Sequence, residues 1–444
     1  MESFRSAMLA RVKGRFGALW VAAGAFVLFS LFAGDRVWKQ SIEPHYVLLA
    51  DALLKGQWKL STPPEHPVLG HQMRNDWAYI HVVHCKDGRQ LRGRFRGRRG
   101  GKRLFLDLQQ KPHLLSHRDI LRYHKEHYVS FPPLPALLMM LPMKSLEWTG
   151  FSRLRYNDSL FTLFFAALAV MMMFLLLEEF RRVGSSTRSL EENFWLTTLF
   201  GFGTVFFTIA VQGTVWFTAL TVGAFCSITS LYFGVRARRP FLAGLFLGMA
   251  FLCRPPLLLV GLFFVWQLYD DAKRTDESVF SSKALRALLW FGVPVLSCML
   301  GIFYVNVLRF GMPLQFGHLY LPGVYRRSLR YGLFGLHWFP RNFFAFFLAL
   351  PELSWRAPFV RFNMHGFSIF LTTPMFLWMF FSRDKQRRDF WWLLGCAVVV
   401  CLPALFYQNT GWKTFGTRFS LDYTPLLILM LAVSSMKIDK WFVR

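Results

Sequence analysis

One acid opens the stretch IEPHYVLLADALLKG at residues 42–56: Glu43, followed closely by His45, Tyr46 and Asp51. A carboxylate beside a hydroxyl can take its proton as a general base. A neighbouring His and Tyr add hydrogen-bonding groups for a polar substrate. Tyr46, Leu49, Leu53 and Leu54 fall at helical spacing, and Gly56 suits a helix end. The pattern predicts an amphipathic helix on a membrane surface, and if the chain is an enzyme its chemistry is expected beside Glu43. Asp35, Asp51 and Glu126 are nearby acids that could stand in for it.

A second set of residues is cationic. Arg254 interrupts the apolar run FLCRPPLLL, Arg309 and His318 lie in NVLRFGMPLQFGHLY, and Arg341 sits in FPRN. TGWKTFGTRFSLDYTP adds Lys413, Arg418 and Asp422. Ionisable groups at membrane depth are costly and often functional, and guanidinium forks match phosphate oxygens. Arg254, Arg309, Arg341 and Arg418 are therefore expected to ring one outer cavity that holds an anion. Plainer roles stay open: Arg254 can cap free carbonyls at a helix break, and Arg418 and Asp422, four apart, can form an intrahelical ion pair.

Metal chemistry has a weaker basis. His81 and His84 fall in a predicted strand, where that spacing places them on opposite faces. His124 and His127 share the spacing, and a helix there would put them on one face. No further ligand stands out, so no metal ligands are assigned, though a divalent metal stays open. The run RGRFRGRRGGKR, residues 92–103, is read as a solvated flexible loop, with capture of an anionic headgroup or polyanionic glycan as the alternative.

The elements that must position these groups are membrane helices. Of 444 residues, 54% are hydrophobic and 18% aromatic, with 50 Phe and 16 Trp, which suits lipid-facing surfaces and interfacial belts. The formal net charge of +27 is explained by basic cytoplasmic loops and anionic lipid, not nucleic acid. Five of the six cysteines lie in apolar segments and Cys85 lies alone in a polar one, so no disulfide framework is implied. Spans are expected near 16–33, 157–177, 194–211, 215–233, 241–253, 256–269, 287–308, 366–381, 390–407 and 421–436. The fold class is an all-α polytopic membrane protein of about ten transmembrane helices, with a small β-rich extracytoplasmic insert. Residues 1–33 make a cytoplasmic tail and an uncleaved first helix. Residues 34–156 form the first outer loop, with the insert at about 70–125. Helices two to seven occupy 157–308, a second outer segment 309–365, and helices eight to ten 366–444. Lys and Arg clusters then fall on one side, which puts both termini in the cytoplasm.

In the first outer loop, WAYIHVVH and RQLRGRF alternate like strands around the hairpin signal Asp87-Gly88, and RLFLDLQQ offers a third strand. PALLMMLP, after the prolines of HYVSFPPL, predicts a short interfacial helix.

This layout resembles the GT-C superfamily of membrane glycosyltransferases, in its polyprenyl-phosphate-sugar-dependent branch with the aminoarabinose and protein O-mannosyl transferases. The likeness rests on IEPHYVLLADALLKGQW after the first helix, on FPPLPALL with Pro132, Pro133 and Leu134, and on AGLFLGMAFLCRPPLLL. It implies inverting transfer of a sugar from a polyprenyl-phosphate donor to a lipid, glycan or protein acceptor at the outer face of a bacterial inner membrane. Glu43 would be the base, with Arg254, Arg309 and Arg418 at phosphate and His45 and Tyr46 at sugar or acceptor. Three positions depart from the family's pattern: Ile42 replaces the first acid of a pair, Gln212 stands where a second loop acid is usual, and Phe131 replaces a Lys before the prolines. A non-catalytic relative that binds lipid-linked sugars, or less readily a transporter, is the alternative.

Overall fold

A computed structural model describes residues 16–61, 77–321, 330–361, 363–380, 388–411 and 414–434. The chain is a mostly helical, multi-pass membrane protein with a small β-sheet insert. Among the described residues, five helical segments are long and apolar enough to cross a membrane: Gly17–Val37, Asp158–Arg182, Val215–Ala237, Ser282–Phe310 and Arg388–Phe406. The apolar helices His45–Leu54, Pro240–Phe251 and Thr424–Val433 are shorter. Contacts divide the chain into two units, one of residues 1–41, 159–297 and 333–444, the other of 42–158 and 298–332.

In the first unit, several expected spans are broken. The segment at 194–211 splits into Leu190–Phe202 and Val205–Ala210, restarted by the Thr204 hydroxyl, which accepts from the Phe206 amide. A capping box at Ser189 and Glu192 starts the first half. The segment at 366–381 yields only two one-turn helices, Ile369–Thr372 and Met375–Trp378, parted by Pro374. The break at Arg254 is present: Pro240–Phe251 ends, Arg254 is extended, and a 3-10 turn, Pro255–Gly261, leads into Leu262–Arg274. Helices approach closely where a side chain is absent. A Cβ on Gly244 would overlap the Phe291 carbonyl, the small-residue contact that membrane helices use.

The second unit carries a five-stranded antiparallel sheet, β1 (Trp77–Cys85), β2 (Gln90–Arg99), β3 (Lys102–Asp107), β4 (Pro112–Leu115) and β5 (Ile120–Val129), in the order β4-β3-β2-β1-β5. The Asp87-Gly88 turn joins β1 to β2 as expected: Gly88 has φ +85° and Asp87 accepts from the Arg89 amide. Two strands exceed expectation. β5 places His124 and His127 on opposite faces, which removes the helical reading of that pair. The basic run is ordered strand, not flexible loop. Arg92 bonds Glu126 and the Tyr128 hydroxyl, and Arg94 bonds the Leu319 carbonyl.

Gly93 lies where β2 meets β3. A Cβ there would overlap the Leu106 carbonyl oxygen and lie 2.7 Å from Asp107 Cα. Both obstacles are backbone, so Gly93→Ala is expected to destabilise the insert by about 1–3 kcal/mol, the usual range for overpacking. Faster amide hydrogen exchange in β2 and β3, with the membrane helices unchanged, would show it.

The PALLMMLP segment becomes a longer helix, Leu134–Glu147, with Pro135 in its first turn. Leu141 and Trp148 are 77% and 81% exposed on its outer side, an apolar edge suited to a bilayer interface.

Candidate functional site

The His45–Leu54 helix differs from its sequence reading. His45 to Ala52 are all buried, so it is an enclosed helix and not an amphipathic surface one. Its sequence permits this because the polar groups are few and placed at its ends. The helix packs on Leu134–Glu147, on the turn Arg153–Arg155 and on β5.

At its N-terminal end lies an acid–aromatic cluster. Glu43 Oε2 is 3.7 Å from His45 Nδ1, with the Glu43 side chain 12% exposed and His45 fully buried. Trp77 at the start of β1 stacks on His45, with ring centroids 3.9 Å apart and planes within 6°. Phe131 closes the group, 6.4 Å from each of His45, Tyr46 and His318. The structure thus brings together Glu43, His45, Tyr46 and His318 from the expected set. Ile42, at the departed acid position, is 69% exposed. Sequence reasoning missed Trp77. Its indole nitrogen is buried and meets no acceptor among the described residues, although Trp usually finds one when buried. A lone Trp at the head of a predicted strand gave no signal, since its partner lies far away in the chain.

Asp51 does not belong to this cluster. Its carboxylate takes Lys55 at 2.8 Å, the Ser61 hydroxyl at 3.0 Å and Arg153 at 3.2 Å. It ties the helix's last turn to the following chain and to the Arg153 turn. Asp51→Ala would leave these donors facing a buried void and is expected to cost about 3 kcal/mol, as for breaking a buried ion pair. A fall in thermal stability with no change in ligand binding would identify the role as structural.

The other substitute acids are also engaged. Asp35 is exposed and pairs with Lys39 at 2.8 Å. Glu126 accepts from the Tyr128 hydroxyl at 2.9 Å and pairs with Arg92 and Lys59. Burial works against its ionisation, but the Tyr128 bond and both cations outweigh that and hold its pKa below the usual carboxylate range. A carboxylate so stabilised is a poor base.

The four arginines have different settings. In the second unit Arg309, 2% exposed, donates to the Val129 carbonyl and to Asn306 Oδ1, and lies over the Trp58 ring at 5.6 Å. It anchors the end of a membrane-length helix to the sheet. In the first unit Arg341 binds Asn342 Oδ1 and the Gln408 carbonyl. The Asn342 amide in turn serves the carbonyls of Ala404, Leu405 and Tyr407, so this pair caps the open end of Arg388–Phe406. Lys413 lies outside the described residues.

Arg254 and Arg418 do come together. Arg254 grips Asp422 with two parallel bonds of 2.8 and 2.7 Å, the bidentate geometry of a strong pair. Asp422 therefore answers a residue on the Arg254 helix break. The Phe419 ring has the Arg254 guanidinium 5.0 Å from its centroid and that of Arg418 at 5.4 Å. Arg418 also lies near the Trp216 and Phe217 rings. Two guanidiniums thus lie against one aromatic ring.

Among the described residues no three His, Cys, Asp or Glu side chains gather as metal ligands. His81, half-buried between Tyr79, Phe95 and Tyr123, has its pKa lowered to about 4 by burial and by Lys125, so it is neutral at pH 7. It lies on the face opposite His84. No family model, no curated protein and no solved structure matches this chain.

Proposed function

We propose that this protein is a membrane glycosyltransferase of GT-C type, transferring a sugar from a polyprenyl-phosphate donor to a lipid, glycan or protein acceptor. The observation that carries the reading is the pairing of Arg254 and Arg418 on Phe419, an arrangement suited to a phosphate in an apolar setting. Glu43 takes the acceptor hydroxyl's proton. The new bond forms between that oxygen and the sugar's anomeric carbon as the bond to the donor phosphate breaks, with inversion. The proton ends on Glu43, and the leaving phosphate takes the electron pair of the broken bond, its charge met by guanidinium donors. The His45 amide donates to the Glu43 carbonyl at 2.9 Å, and the His45 ring, stacked on Trp77, fixes that turn.

The reading places the protein in a bacterial inner membrane with ten spans. The shorter apolar segments complete the five long ones, both termini are cytoplasmic, and the sheet lies outside. Glu43→Gln tests it: labelled sugar should no longer reach acceptor, and unchanged transfer overturns the assignment.

A second reading, a non-catalytic binder of lipid-linked sugars, is favoured by the exposure of Ile42 where a paired acid would stand. The two part on a direct measurement. A binder retains the donor lipid unaltered in wild type and Glu43→Gln alike, whereas an enzyme consumes it only in wild type.

A further inference from the structure

The basic run at 92–103 is left unused by the proposed transfer. The structure divides it in two. Arg92 and Arg94 turn inward to structural partners. Beyond the bulge between Phe95 and Gly97, the β2–β3 hairpin projects Arg98, Arg99 and Lys102, all exposed, with Arg103 half-exposed over the Phe95 ring at 5.6 Å. The turn itself is Gly100-Gly101, both at positive φ. No Asp or Glu occurs between Gly88 and Leu106.

The sheet register shows which way this tip points. β2 runs antiparallel to β1, with His84 opposite Gln90 and His81 opposite Gly93. Its far end therefore extends past Trp77. Trp77 is in turn opposite Val129, the last residue of β5. From Val129 the chain passes into Leu134–Glu147, the helix with exposed Leu141 and Trp148. The Val129 carbonyl also accepts from Arg309 at the end of the membrane-length helix Ser282–Phe310. The basic tip and the start of the Leu134–Glu147 helix thus belong to one end of the sheet, while Ser282–Phe310 ends against its face, where Arg92 donates to the Leu308 carbonyl.

We infer that the β2–β3 hairpin tip docks on anionic phospholipid headgroups of the bilayer in which this protein sits, through Arg98, Arg99, Lys102 and Arg103. The occupant is fixed by charge and place together. Cations without an intervening acid need an anion, and the nearest anionic surface at that end of the sheet is the bilayer's own headgroup layer. The hairpin is rigid strand to its glycine turn, so the cations are presented without the ordering cost that a flexible loop would bear.

The test uses the full chain in nanodiscs of phosphatidylcholine alone, or with added phosphatidylglycerol. Amide hydrogen exchange is followed at residues 97–103 and, as a fold control, in β1. The anionic discs are expected to slow tip exchange at least about fivefold, the factor that one basic residue contributes at an anionic surface. High salt should remove the difference, and so should the triple variant Arg98→Gln, Arg99→Gln, Lys102→Gln, with β1 exchange unchanged in every case. Equal tip exchange in the two discs overturns the inference. So does slowing in neutral discs by soluble polyphosphate at a concentration that leaves anionic discs unaffected, which would assign the tip to a free polyanion. The result is independent of sugar transfer, so it stands or falls apart from the enzymatic reading.

Discussion

Replacing Glu43 with Gln is expected to lower sugar transfer by about 10²–10⁴-fold, the share of a barrier that a positioned general base carries, while leaving the fold intact. Gln has the same shape, and the Glu43 side chain is 12% exposed, so the substitution leaves no large void. Its neighbour His45 keeps its stack on Trp77. What disappears is the proton acceptor. Thermal stability should match wild type and donor binding should persist, since phosphate contact is assigned to Arg254 and Arg418. Glu43→Asp sharpens the test: it restores a base one methylene short and should recover part of the rate. A rate unmoved by both substitutions would remove Glu43 from the chemistry. A wild-type protein that binds donor without consuming it would support the non-catalytic reading.

A large loss of stability should come from Asp422→Asn. Asp422 is 4% and Arg254 17% exposed, and the fork between them has two bonds below 3 Å. Removing one charge leaves the other buried and undercompensated, which typically costs about 3–5 kcal/mol. The partial exposure of Arg254 puts the expectation near the lower end, about 3 kcal/mol. The double variant Arg254→Met with Asp422→Leu removes both charges and should recover most of that stability, because an apolar pair of similar volume carries no desolvation penalty. It should still fail to bind the donor's phosphate. Thermal unfolding in detergent reads the first effect and donor-lipid retention the second. If the double variant retains donor as wild type does, the anion contact lies elsewhere.

Much of the architecture was legible in residue order. Long apolar runs became membrane-length helices at Asp158–Arg182, Ser282–Phe310 and Arg388–Phe406. Alternation around Asp87-Gly88 became β1 and β2. The helix break at Arg254 was signalled by its two prolines, which remove amide donors locally. Such features are set within one or two turns of chain, so a linear reading reaches them.

The pairings were not legible, because they join distant residues. Asp422 is four residues from Arg418, yet it binds Arg254 across 168 positions, since the turn Arg418–Asp422 is a 3-10 helix and does not stack those positions as an α-helix would. The helix left open around His124 and His127 gives way to strand β5, where Glu126 and Tyr128 meet Arg92 across the sheet. Asp51 and Arg309 take partners from distant segments, Arg153 and the Val129 carbonyl. Residue order determined a polytopic membrane protein, a β insert and one acid in a distinctive stretch. Only tertiary structure decided which charges are committed to holding the fold and that Glu43 lies beside His45 and Trp77, because burial and long-range partners set the state of an ionisable group.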